Sequence, residues 1–210
     1  MIIAEKYMNG LKKAYMDNNA VAEWEHFESI KHGAAEDEIS KIKEIYPLAP
    51  DSLFDLLKYV DGTYWREYHG EKITLFFLGS DVDEYEYPYY LLSSAQILRE
   101  IEFGEKYRYG LDDFIYWINE NGYSELYDDK LTNDPKKARW LCFSHCMNNG
   151  GTSKLYIDFA PSEKGNAGQV VRYLHDPDQF KVIADSFDDY LNMLMEHGYK
   201  FINEDTVDES

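Results

Sequence analysis

Leu155-Tyr156-Ile157-Asp158-Phe159 and Gln169-Val170-Val171-Arg172-Tyr173, separated by the turn Gly165-Asn166-Ala167-Gly168, decide the fold class. Both are short runs rich in β-branched and aromatic residues, which suits a pleated, half-buried surface. A glycine turn this short joins antiparallel strands, because a parallel pair needs a crossover of a dozen or more residues. Trp140-Leu141-Cys142-Phe143 is a third strand candidate, set apart by Gly150-Gly151. After the last strand, Ser186 with Asp189 makes a capping-box-like helix start, and Phe187, Tyr190, Leu191 and Leu194 form one apolar face.

Working outward, residues 1–33 read as a helical N-terminal extension. Ile3, Tyr7, Leu11 and Ala14 share one face; Trp24, Phe27 and Ile30 repeat the pattern after the polar break Asp17-Asn18-Asn19. Glu36-Asp37-Glu38 opens a further helix, where negative charge suits the macrodipole, with Ile39, Ile42 and Ile45 as its apolar face. Pro50 fits the first turn of the next helix, whose face is Leu53, Leu56, Leu57 and Val60, and Gly62 fits its stop. Thr63-Tyr64-Trp65 and the run Ile73 to Leu78 have strand character about a turn at His69-Gly70. Asp81 to Tyr87 reads as an acidic, aromatic loop ended by Pro88, and Ser94 as the cap of a helix bearing Ile97, Leu98 and Ile101. The order of elements predicts an α+β fold: a twisted, mostly antiparallel sheet flanked by helices. The main domain spans residues 34–200 with an insertion at about 103–137, and the acidic tail 201–210 is expected to fray.

The same signals, in this order, resemble the SUKH superfamily, which holds bacterial toxin-immunity proteins and relatives of the yeast cell-wall assembly regulator (the Smi/Knr type). The likeness rests on Glu36-Asp37-Glu38-Ile39, Ala49-Pro50-Asp51 and the leucine-rich run to Asp61-Gly62. Further on it rests on Trp140-Leu141-Cys142-Phe143, Ile157-Asp158-Phe159-Ala160-Pro161, Gly165 to Val170, and Ala184-Asp185-Ser186-Phe187. Ala49 stands where the family usually has Leu. The resemblance covers about residues 34–197 and implies one twisted sheet and a role in binding a protein partner. It carries over no catalytic residue. The shared positions Pro50, Gly62, Trp140, Asp158, Gly168, Ser186 and Phe187 are architectural on this reading.

Composition narrows the function. The 210 residues hold 40 acids against 21 Lys and Arg, a net charge of −19, which disfavours direct nucleic-acid binding. The excess is clustered: residues 81–90 give −4, residues 102–134 give −6 and residues 185–210 give −7, which is −17 of the −19. Residues 81–90 interleave their acids with Tyr85, Tyr87, Tyr89 and Tyr90, and Tyr is enriched at binding hot spots. Asp81, Asp83, Glu84, Tyr85, Glu86 and Tyr87 are therefore the candidate contacts with a basic partner, a cognate protein toxin on the SUKH reading. Tyr89 and Tyr90 fit a core strand better. A regulatory scaffold of the cell-wall assembly type is the alternative.

Other chemistries find little support. No Gly-x-Ser-x-Gly elbow or phosphate-binding Gly-x-x-x-x-Gly-Lys loop occurs. Cys142, His145 and Cys146 lack the second ligand pair of a structural zinc site, so no metal and no cofactor is expected. Asp158 ends a strand and is expected to accept backbone hydrogen bonds in the following turn. The charged start of the chain and the absence of an apolar run of ~20 residues fit a cytoplasmic protein without a membrane span.

Overall fold

The computed structural model describes residues 2–82, 85–148 and 151–208. Its centre is a six-stranded antiparallel sheet in the order β3-β4-β5-β6-β7-β8. The strands are β3 (Leu78–Val82), β4 (Tyr85–Leu91), β5 (Trp140–Asn148), β6 (Gly151–Asp158), β7 (Gln169–Leu174) and β8 (Gln179–Ala184). Every strand pairs with its neighbour in sequence, and helices α5 (Ser94–Tyr107) and α6 (Leu111–Asn121) lie between β4 and β5. The two runs that decided the fold class form β6 and β7, paired from Lys154↔Tyr173 to Asp158↔Gln169. A register shift between Cys142 and Ser144 marks a bulge in β5.

Helices cover both faces of the sheet. On one face Phe143 of β5 meets Phe187 and Tyr190 of α7 (Phe187–Glu196) at 5.2 and 5.9 Å between ring centroids. On the other, Trp140 packs between Tyr109, Tyr156 and Phe180, and α5 reaches β5 and β6 through Glu100. The N-terminal helices α1 (Ile3–Asp17) and α2 (Val21–Ile30) contribute Tyr7, Leu11, Tyr15, Trp24 and Phe27 to the same core as the sheet. Helices α3 (Glu36–Ile45) and α4 (Asp51–Tyr59) follow the expected faces, Ile39 and Ile42 in one, Leu53, Leu56 and Leu57 in the other.

Tyrosine hydroxyls staple these layers to backbone carbonyls. The segment 74–77 before β3 is irregular, and its carbonyls at Phe76 and Phe77 accept from Tyr15 and Tyr7 at 2.7 and 2.6 Å. Tyr190 donates to the Gly79 carbonyl and Tyr199 to that of Tyr7. Tyr46 and Tyr109 both reach the Trp140 carbonyl at 3.0 Å. Buried phenols need such partners, because an unmade hydrogen bond in the interior costs about 1–3 kcal/mol. Burial also raises the pKa of Tyr7, Tyr15 and Tyr190 well above the ordinary phenol range.

Several local expectations are corrected. Asp81, Val82 and Tyr85 to Tyr87 are strand rather than loop: β3 pairs with β4, with Asp81 opposite Glu86 and Val82 opposite Tyr85, while Asp83 and Glu84 lie outside the described residues. Pro88 does not end the run but lies inside β4, opposite Gly79. The Tyr89 carbonyl accepts from Phe77 on the β3 side, so alternation turns the Pro88 nitrogen away from that ladder. The small hairpin β1 (Arg66–Tyr68) and β2 (Glu71–Ile73) does turn at His69-Gly70, both at positive φ, but residues 63–65 are not strand. Trp65 has φ 51°, which breaks the extended chain, and Thr63 bonds instead to Leu91 and Leu75. The cap of α5 is Ser93 rather than Ser94, because Gln96 completes the box. The tail does not fray directly after Phe201: Phe201 and Ile202 are buried, and α8 (Glu204–Asp208) follows. Phe201 lies against Gly79, where a Cβ would collide with its ring.

Candidate functional site

The hairpin singled out by charge and tyrosine content stands at the β3 edge of the sheet. Asp83 and Glu84 lie outside the described residues, and of Asp81 and Tyr85 only the strand positions are described. Tyr87 is 38% exposed, whereas Tyr89 is fully buried, so only the first is placed to meet a partner. Glu86 differs from a contact residue. Its side chain is 7% exposed, and its Oε1 lies 2.9 Å from Nδ1 of His197, just beyond α7. The hairpin and the C-terminal acidic run therefore meet at one place.

Each position that carries the resemblance has a defined place in the structure. Pro50 is the N-cap of α4. Gly62 has φ 81°, and a Cβ there would collide with the Ser93 amide. The adjacent Asp61 is buried. Its Oδ1 accepts from the Ser94 amide and hydroxyl at 2.8 and 2.7 Å, and its Oδ2 from Arg66 at 2.8 Å. Asp158 behaves as expected, accepting from the Ala160 amide at 2.9 Å and the Gln169 side chain at 3.0 Å. Burial raises its pKa, partly countered by those hydrogen bonds. Gly168 holds φ 97° in that turn, Trp140 is wholly buried, and Ser186 caps α7 by accepting from the Asp189 amide while Phe187 enters the core.

Cys142 and His145 do come together, with a partner that spacing in the chain conceals. Ligand atoms of Glu100, Cys142 and His145 lie within 4.8 Å of one another, and Cys146 is not among them. Structural zinc takes four ligands, and here the carboxylate is already occupied. Glu100 is 2.8 Å from the Lys154 ammonium and 3.3 Å from His145 Nε2. Burial alone would raise the Glu100 carboxyl; the hydrogen bonds and charges of His145 and Lys154 outweigh it and hold the group down at about 2. Burial lowers the His145 pKa, and burial raises that of Cys142, keeping the thiol protonated. The cluster is an ion-pair hub tying α5 to β5 and β6.

A second surface lies at the opposite edge of the sheet. Helix α6 buries Leu111 and Ile118 and leaves Tyr116, Trp117 and, just beyond it, Tyr123 exposed at 67, 45 and 45%. A cleft of about 630 Å³ opens between α6 and the β7–β8 turn, lined by Phe114 and Trp117 together with Asp113, Asp176 and Asp178. The helical period of α6 could have flagged Tyr116 and Trp117, but nothing in the chain order brings Asp176 and Asp178 beside them.

With fold and surfaces in place, the class is that of an α+β domain with one six-stranded antiparallel sheet covered by helices. The family model for the SMI1 / KNR4 family (SUKH-1) matches residues 33–193, and the chain belongs to that family. No curated protein matches the chain. Among the described residues no helix is long and apolar enough to cross a membrane.

Proposed function

We propose that this chain is an immunity protein that binds and occludes a cognate basic protein toxin, with a nuclease as the fitting class, in the cytoplasm. The observation that carries the reading is family membership joined to clustered charge: three runs account for −17 of the −19. Charge of this kind raises association rates with a basic cleft and supplies part of the discrimination against other partners. The proposed contact includes the β3–β4 hairpin, with Asp81, Asp83, Glu84, Tyr85 and Tyr87 as contacts. Glu86 joins this set through its charge, since its side chain is buried against His197.

The test is co-expression with the toxin encoded in the neighbouring reading frame. Protection is expected, and Asp83→Lys with Glu84→Lys should weaken toxin binding and flatten its salt dependence. Glu86→Lys is a poor probe, because it would bury an ammonium near Tyr7 and Tyr190. Undiminished toxicity would overturn the immunity role; unchanged affinity and salt dependence would overturn the hairpin assignment. The family also admits a regulatory scaffold of the cell-wall assembly type. Several cellular partners retained on a pull-down, with no effect on any toxin, would select that reading.

A further inference from the structure

We propose that the cleft between α6 and the β7–β8 turn seats an arginine side chain from a basic segment of a protein partner. The inference takes its kind of occupant from the protein-binding reading but does not depend on the partner's being a toxin. Two independent features meet there. The first is aromatic surface left in water. Trp117 packs on Tyr123 at 5.3 Å and on Phe114 at 6.2 Å, and Phe114 is fixed in turn against Phe180 at 5.1 Å. The indole is thus held in a set pose while 45% exposed, and a rigid, half-exposed Trp is the ring type most enriched at hot spots.

The second feature is charge. Asp113, Asp176 and Asp178 line the cleft, and the lining contains no Lys or Arg. Asp178 is oriented by the Tyr173 hydroxyl, which donates to Oδ1 at 2.8 Å, and by His175 at 3.3 Å. Carboxylates lining the same cleft as a half-exposed indole favour a cation that is also flat. A guanidinium stacks on the ring and presents a planar fork of donors to the acids; an ammonium offers only a hydrated point charge. The volume of about 630 Å³ accepts such a side chain with part of its backbone.

The probe is a capped Gly-Gly-Arg-Gly-Gly peptide titrated into the full chain, with citrulline and lysine counterparts, read by amide and indole NMR. The arginine peptide should shift the Trp117 indole and the Asp113 and Asp178 amides saturably. Citrulline, which keeps the shape and loses the charge, should bind at least ~10-fold more weakly, and lysine more weakly than arginine. Asp113→Asn with Asp178→Asn, and separately Trp117→Ala, should each weaken binding ~10-fold while the rest of the spectrum stays native. Equal binding of the citrulline peptide, equal binding of lysine, shifts scattered away from the cleft, or variants that bind like the parent would each overturn the proposal. Peptide binding in a chain that fails to protect against its toxin would refute the immunity reading and leave the cleft standing. Protection without peptide binding would do the reverse.

Discussion

Glu100→Gln isolates one ion pair whose weight can be worked from geometry. The carboxylate sits 2.8 Å from Lys154 Nζ, with side-chain exposures of 20 and 18%, and its pKa is held at about 2. Against an ordinary 4.5, that depression corresponds to an upper bound of ~3 kcal/mol in favour of the folded state. Residual exposure and screening reduce it, and a charge-assisted hydrogen bond is worth about 1.5–3 kcal/mol, so we expect a loss of about 2 kcal/mol at pH 7. For a chain of this size that is a fall in Tm of about 4–8 °C.

The pH dependence separates this cause from a loss of packing. A depressed carboxyl stabilises fully above its unfolded value and loses that contribution as pH falls through its folded value. The gap between parent and Glu100→Gln should therefore be constant from pH 7 to about 5.5, halve near pH 3.3, and close toward pH 2. His145 acts in the same direction: burial lowers its pKa, so stability is lost as pH falls below its ordinary 6.5. Repeating the comparison in a His145→Asn background removes that second titration. Urea denaturation followed by circular dichroism at pH 7, 5.5 and 3.5 gives the gap directly. A gap of the same size at pH 7 and 3.5, or none at pH 7, would refute the reasoning.

Two further substitutions test the architecture. Gly62→Ala meets both a positive φ of 81° and the Ser93 backbone, and should cost about 3 kcal/mol; Gly122→Ala, with φ 76° and open space, should cost about 1 kcal/mol. Equal losses in urea denaturation would show that steric approach at Gly62 plays no part. Ser93→Ala removes a reciprocal cap, in which Ser93 accepts from the Gln96 amide while Gln96 accepts from that of Ser93, and should cost about 1–2 kcal/mol. Faster amide exchange in the first turn of α5 is the local readout, and unchanged exchange there would contradict the cap.

Elements with strong local periodicity were legible in the chain. The faces of α1, α3, α4 and α7, the β6–β7 turn and the Ser186 cap depend on residues within a few positions of one another. What the chain hid depends on distant partners. The sequence holds 19 Tyr, each a ring with a polar tip. Many of those tips are spent on carbonyls 61–111 positions away, as with Tyr15, Tyr7, Tyr46 and Tyr190. The Glu100 hub is similar: 54 residues separate Glu100 from Lys154, and no spacing rule links them. The acidic cleft escaped for the same reason, since α6 and the β7–β8 turn meet only in the folded sheet.

The way both outer strands are closed constrains how any partner binds. At one edge, Gly79 of β3 gives its carbonyl to Tyr190 and lies under Phe201. At the other, the Phe180 carbonyl of β8 accepts from the Asp128 amide, and the Val182 amide donates to the Asp128 carboxylate. Exposed edges invite strand addition, and these contacts occupy backbone groups on both outer strands. The covering segments are themselves acidic: the C-terminal run supplies Glu204 and Asp205, and the stretch 102–134 has a net charge of −6. The parts that close the sheet thus also place negative charge at its two ends. On the readings proposed above, a partner is held by side chains, through cations meeting carboxylates and rings. That is the chemistry of the β3–β4 hairpin and of the Trp117 cleft, and their positions at opposite edges allow each to be disabled while the other is left intact.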